Sequence, residues 1–190
     1  MAERVCPWWV GYLLASPLRR LFHNPVTIVG PHVTPGMTVV DLGCAMGFFS
    51  LPMAEMLGPG GRVVCVDLQE RMIRRLRKRA ARAKVSNRID TRLCRADSLG
   101  LDDLNGTIDF ALAFAVVHEV PNAPTLLAEI RSLLRPGGRL LIAEPRGHVR
   151  RAAFETTLAA AAEAGLSPIE RPEVKRSHAA LLERSPDSAA

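Results

Sequence analysis

Apolar positions in this chain gather into short continuous runs, several carrying an acid at or near their end, separated by longer segments with helical spacing. Val39–Leu42 (VVDL), Arg62–Asp67 (RVVCVD), Ile108–Val117 (IDFALAFAVV) and Arg139–Glu144 (RLLIAE) have the length and continuity of buried parallel strands. Ile89–Cys94 (IDTRLC) alternates and makes one more strand. Helices are expected over Phe48–Leu57, Gln69–Lys84, Asn122–Leu134 and Val149–Ala164. Asn24-Pro25 and Asn122 with Pro124 read as helix starts, because an Asn side chain accepts the first free amides and proline tolerates the first turn. Pro35-Gly36 precedes the first strand, and Gly58-Pro59-Gly60-Gly61 ends the helix before the second. Arg135-Pro136-Gly137-Gly138 is expected to stop the third long helix, and Gly165 suits a C′ position. Leu166–Val174 and His178–Glu183 are two more weakly patterned strands. Strands alternating with helices predict a doubly wound α/β sheet.

Composition adds limits to that picture. The 190 residues are 48% hydrophobic and 23% charged, as in an ordinary globular domain. No apolar run approaches a membrane span, and the start of the chain lacks the pattern of a signal peptide, so a cytoplasmic location is expected. Cys6, Cys44, Cys65 and Cys94 have neither zinc-site nor C-x-x-C spacing, and no metal is expected. The net charge of +6 is local. Arg71, Arg74, Arg75, Arg77, Lys78, Arg79, Arg82 and Lys84 crowd the predicted helix 69–84, with Met72, Ile73, Leu76 and Ala80 on its inward face. No aromatic residue interleaves with these charges to stack on bases, so a solvated outer helix is the simpler reading.

Candidate chemistry concentrates in residues 39–50, VVDLGCAMGFFS. A strand, a glycine turn and a helix start bring backbone amides and a small-residue gap against a ligand. The glycine pattern is G-x-A-x-G (Gly43, Ala45, Gly47), not the G-x-G-x-x-G of dinucleotide sites, which argues against a nicotinamide oxidoreductase. Asp41, two residues before the first glycine, suits a ligand with a charged amine. Asp67 ends the second strand 24 residues after Gly43, where a carboxylate can accept both hydroxyls of a ribose. Asp97 follows the third strand in the sequence RADS.

In these residues the chain resembles the class I S-adenosylmethionine-dependent methyltransferases of small-molecule type, whose first motif is [DE]-x-G-x-G-x-G. LLRPGGRLLIAEP at 133–145 is similar to that family's helix-turn-strand signature, and the resemblance covers roughly residues 25–145. It implies a Rossmann-like, seven-stranded, mostly parallel sheet and S-adenosyl-L-methionine as cofactor. The implied cofactor residues are Asp41, Gly43, Cys44, Ala45 and Gly47 at the turn, and Asp67 on the ribose. Leu68 would pack on the adenine, with Asp97 and Ser98 near its amine. Ala45 departs from the pattern, since it stands where the family has its middle glycine. An alanine forced to positive φ costs about 1–2 kcal/mol.

The acceptor is less legible. His118, just past the fourth strand, is the candidate general base, with Glu119 beside it as base or orienter; His148, after the fifth strand, is a further candidate. The [DNS]-P-P-[YFW] motif of N-methylation, the Pro-Cys pair of pyrimidine carbon methylation and the lysine-rich set of ribose methylation are missing. These gaps point away from nucleic acid and toward a small, apolar or aromatic acceptor. The N-terminal CPWWVGYLLASPLRRLF resembles a lid over such a pocket, and its tryptophans and Arg19/Arg20 also suit transient membrane contact. Cys6 and Cys44 could hold a soft acceptor such as a metalloid if the lid folds over the turn. The expected organisation is one domain over 1–184, with a helical lid at 1–30, a core at 37–184 and a frayed tail at 185–190. The alternatives are an RNA methyltransferase working through helix 69–84 and a non-catalytic S-adenosylmethionine-binding protein.

Overall fold

A computed structural model describes residues 22–185. Cys6, the tryptophans and most of the N-terminal lid, and tail positions 186–190, lie outside the described residues. The chain divides into two compact units between Cys94 and Arg95.

The first unit opens with helix α1, Pro25–Val29, whose Val26 N–H is accepted by the Asn24 side chain as the Asn-Pro pair predicts. Strand β1 spans Thr38–Leu42, helix α2 Ser50–Met56, strand β2 Arg62–Asp67, helix α3 Glu70–Arg82 and strand β3 Ile89–Leu93. Their order is β3-β2-β1, with both pairings parallel. Val39, Val40 and Val63–Val66 are buried, so continuous apolar runs here do mark strands covered on both faces. Helix α3 buries Met72, Ile73, Leu76 and Ala80, the face its spacing predicts. Helix α2 starts at Ser50 and not at Phe48, because residues 45–49 are taken up by the glycine turn.

The second unit holds strand β4 (Ile108–Phe114), helix α4 (Ala123–Leu133), strand β5 (Leu134–Pro145), helix α5 (Arg151–Glu163), strand β6 (Leu166–Glu170) and strand β7 (Ser177–Arg184). The order is β4-β5-β7-β6. β4 and β5 are parallel, while β7 runs antiparallel to both β5 and β6. Within each unit the paired strands run parallel, except for the reversed β7.

Four predicted boundaries differ in the structure. β4 ends at Phe114 and not at Val117: Ala115 takes φ +59°, which breaks the extended chain, and Val117–Glu119 forms a 3-10 turn. Arg135–Gly138 is not a loop that stops α4. The helix already ends at Leu133 and the chain enters β5 directly, so these residues are the irregular start of the strand. A Cβ on Gly138 would lie 2.8 Å from Arg135 O and 2.9 Å from Ile108 O, so only glycine lets the chain pass this close to β4. The buried Arg184 guanidinium donates to Leu134 O and, at 3.3 Å, to Arg131 O, capping carbonyls that α4 leaves without intrahelical partners. Helix α5 begins at Arg151, two residues after the expected Val149, and β6 ends at Glu170, four residues short of Val174.

Candidate functional site

The glycine turn of the first unit is pinned at both ends by backbone bonds. Cys44 N–H donates to Val66 O of β2 (3.0 Å), and Gly47 N–H donates to Cys44 O (2.8 Å). Gly43, Ala45 and Gly47 take φ of +64°, +47° and +79°. The middle position therefore does need the left-handed conformation, and Ala45 bears its cost. Ala45→Gly removes about 1–2 kcal/mol of strain and loses about 0.4–1 kcal/mol to the freer unfolded chain. The net expectation is a slightly raised melting temperature, measured by calorimetry; a lowered one would contradict the strain argument.

Two carboxylates converge on this turn. Asp41 is buried in β1 and accepts the Ser50 hydroxyl at the head of α2. Asp67, 8% exposed at the end of β2, accepts Ala45 N–H on Oδ2 (2.9 Å) and Gln69 N–H on Oδ1 (2.8 Å). Burial pushes the Asp67 carboxyl above the usual carboxylate range, and the two amide bonds offset part of that rise. Each of its oxygens keeps acceptor capacity for a second donor. Leu68, the next residue, is 37% exposed.

The Cys44 thiol is buried, and burial, then Cys65, Asp41 and Asp67 push it well above the ordinary thiol range. It stays protonated, which suits packing and not capture of a soft acceptor. Cys6, its suggested partner, lies outside the described residues.

Helix α3 also serves the turn. Leu76 packs so closely that a Cβ on Gly47 would lie 2.2 Å from its Cδ1. Arg79 donates from Nη1 to the Met46 carbonyl. This basic residue is thus a tie on the glycine turn, separate from the solvated charges around it. Arg79→Leu is expected to weaken binding at the turn several-fold, with Arg79→Lys less damaging, as read by calorimetry. Unchanged affinity in Arg79→Leu would remove Arg79 from the site.

The second unit places His118 in the 3-10 turn after β4. Its Nδ1 bonds to the carboxylate of Glu144, which also accepts Val117 N–H at 2.8 Å. Glu144 is 2% exposed and the His118 side chain 21%. The Glu144 bond, reinforced by the charges of Glu144 and Glu119, raises the His118 pKa, against a smaller opposing effect of burial. His148 lies edge-on to His118 with ring centroids 5.6 Å apart. Glu119 is exposed and acts on His118 through its charge. Asp97 is exposed and paired with Arg95 at 3.0 Å, which holds its carboxyl below the usual range. Ser98 Oγ accepts Gly100 N–H at 3.2 Å, and Leu99 N–H next along donates to Glu129 at 2.6 Å, fixing this loop.

The sequence reading missed Glu144 as the partner of His118. A signal was available: after Asp41 and Asp67, Glu144 is the third acid at the end of a buried strand.

A parallel β-α-β unit with a glycine turn, whose amide rests on the acid ending the second strand, defines the nucleotide-binding class of α/β proteins. Residues 33–177 match the family described as methyltransferase domain, and the chain belongs to that family. An uncharacterized protein in a transposon of Streptomyces fradiae is 32% identical over 145 residues, 75% of this chain and 41% of that protein. Nocamycin O-methyltransferase of Saccharothrix syringae is 33% identical over 111 residues, 58% of this chain and 39% of that enzyme. The chain thus spans about two fifths of the length of these relatives. A solved S-adenosylmethionine-dependent methyltransferase from Aquifex aeolicus shares the fold at a TM-score of 0.83 and 20% identity, covering 95% of this chain and 100% of that one. The protein is therefore a methyltransferase domain with the Rossmann-like, seven-stranded fold of the S-adenosylmethionine-dependent class. Its donor set fits that cofactor, because Asp67 is a buried carboxylate with one acceptor site left on each oxygen.

Proposed function

We propose that the protein transfers the methyl group of S-adenosylmethionine to a small, apolar or aromatic acceptor, with His118 removing the acceptor's proton. The observation that carries this reading is the His118–Glu144 couple. With Nδ1 held by a buried carboxylate, the ring is fixed in orientation and Nε2 is the nitrogen left to take a proton. The raised pKa makes His118 a stronger base and keeps it protonated to higher pH than a free histidine. Glu144 is a positioning residue, since it acts through His118. The relative that methylates nocamycin supports a small acceptor, as do the missing nucleic-acid methylation motifs.

Asp67 would hold the ribose hydroxyls, with Leu68 against the adenine and Asp97 and Ser98 near its amine. Asp41 would answer the amine end, and Gly43, Cys44, Ala45 and Gly47 would lie along the cofactor's backbone-facing side. When bound, S-adenosylmethionine supplies a methyl group already activated on a sulfonium. Little is then asked of the protein beyond orientation, which can contribute about 7–11 kcal/mol, and proton removal.

The test is incubation of the protein with radiolabelled S-adenosylmethionine and fractionated cell extract. Label is expected in solvent-extractable small molecules. Label confined to RNA or protein would overturn the acceptor class.

A further inference from the structure

Helix α3 carries seven arginines and lysines against one acid, so its net charge equals the +6 of the whole chain. The rest of the chain is electrically balanced. A uniformly basic chain would be spread more evenly; here the excess is concentrated on one element.

The charges on α3 are divided by position. Arg79 donates to the Met46 carbonyl, and Arg77 Nε donates to Thr91 Oγ1 at 2.8 Å, so these two tie the helix to its neighbours. Arg71, Arg74, Arg75, Lys78 and Arg82 follow helical spacing along one outer stripe, opposite Met72, Ile73, Leu76 and Ala80, and all five are exposed. The one acid, Glu70, meets Arg74 at 3.9 Å in an exposed pair that stabilises little. At 1.5 Å per residue the stripe is about 16 Å long.

We propose that this stripe docks the protein on an anionic lipid surface, with the guanidinium groups on lipid phosphates. Guanidinium forks match phosphate oxygens in pairs, and five cations in one outward row suit a plane of head groups. Nucleic acid fits less well. No residue of α3 is aromatic, so the stripe offers no aromatic platform for a base. The N-terminus of α3, the end by which recognition helices usually read a groove, carries Glu70 and lies beside Asp67. Those acids repel phosphate.

The experiment is co-sedimentation of the full chain with vesicles of phosphatidylcholine alone or of equimolar phosphatidylcholine and phosphatidylglycerol. Binding is expected to the anionic vesicles only and to fall steeply with salt. The triple variant Arg74→Glu, Arg75→Glu, Lys78→Glu is expected to lose at least about a hundredfold in vesicle affinity. Its S-adenosylmethionine affinity is expected to stay unchanged, since all three belong to the exposed outer stripe of the helix. If charge reversal unfolds the helix, the neutral variant Arg74→Gln, Arg75→Gln, Lys78→Gln carries the test, with a loss of about a hundredfold. Equal pelleting with both vesicle types would overturn the proposal, as would an unchanged affinity in a folded variant. Release from anionic vesicles by duplex RNA at equal phosphate concentration would replace the lipid surface with a polynucleotide.

Discussion

Replacing His118 with alanine is expected to lower turnover on the true acceptor by roughly 10²–10⁴-fold while leaving S-adenosylmethionine affinity nearly unchanged. The imidazole is held by Glu144 in the second unit, whereas Asp41, Asp67 and the glycine turn proposed for the cofactor belong to the first. Proton removal and cofactor binding should therefore separate in the kinetics. Glu144→Gln refines the test through pH. The carboxylate raises the His118 pKa above 6.5, so the neutral, proton-accepting ring is lost as pH falls through that raised value. Glutamine removes the charge, the His118 pKa drops, and the acid limb of the rate profile moves to lower pH. Turnover falls at the same time, because the weaker base and looser ring are poorer catalysts. A merely structural Glu144 would lower activity without moving the limb. Full turnover in His118→Ala would return His118 to packing.

Asp67→Ala is expected to weaken S-adenosylmethionine binding tenfold or more, on the order of 1–3 kcal/mol for lost hydrogen bonds to a charged acceptor. Two effects combine in this residue. In the proposed site the carboxylate would meet the ribose directly, and it also holds the Ala45 amide, so its loss frees the strained middle of the turn. Asp67→Asn is expected to fall between wild type and alanine, because one side-chain oxygen remains to accept a backbone amide. The ionised form accepts hydrogen bonds best, and burial raises its pKa above 3.8. Affinity should therefore be full at neutral pH and decline as pH falls through the raised value, earlier than for an exposed aspartate. Isothermal calorimetry across pH reads both effects, and an affinity indifferent to Asp67→Ala would take it out of the site.

Much of this was legible in the residues because it depends on local pattern. β2 lies at Arg62–Asp67 as its apolar run predicts, and α3 buries the four residues its period selects. Asn24 and Asn122 cap their helices because an Asn–Pro neighbourhood favours that geometry before any tertiary contact forms. The glycine turn announced itself by composition, since few residues tolerate its backbone angles. The boundaries that moved did so for tertiary reasons. Ile108–Val117 is apolar throughout, and nothing in that run signals that Ala115 will turn to positive φ and end the strand. Pro136-Gly137-Gly138 reads as a loop, and only the approach of Ile108 O explains a strand that needs glycine there.

What the sequence by itself determined was the order of elements, the buried face of each and the acids at the strand ends, because period and burial are encoded within a few neighbouring residues. What only the tertiary structure decided was which distant groups share a hydrogen bond. Asp67 meets Ala45 across 22 residues, Glu144 meets His118 across 26 and Arg79 meets Met46 across 33. Such bonds depend on strands and helices coming side by side in one register. Their energy is gained only after the intervening chain has folded, so no local pattern records the partner.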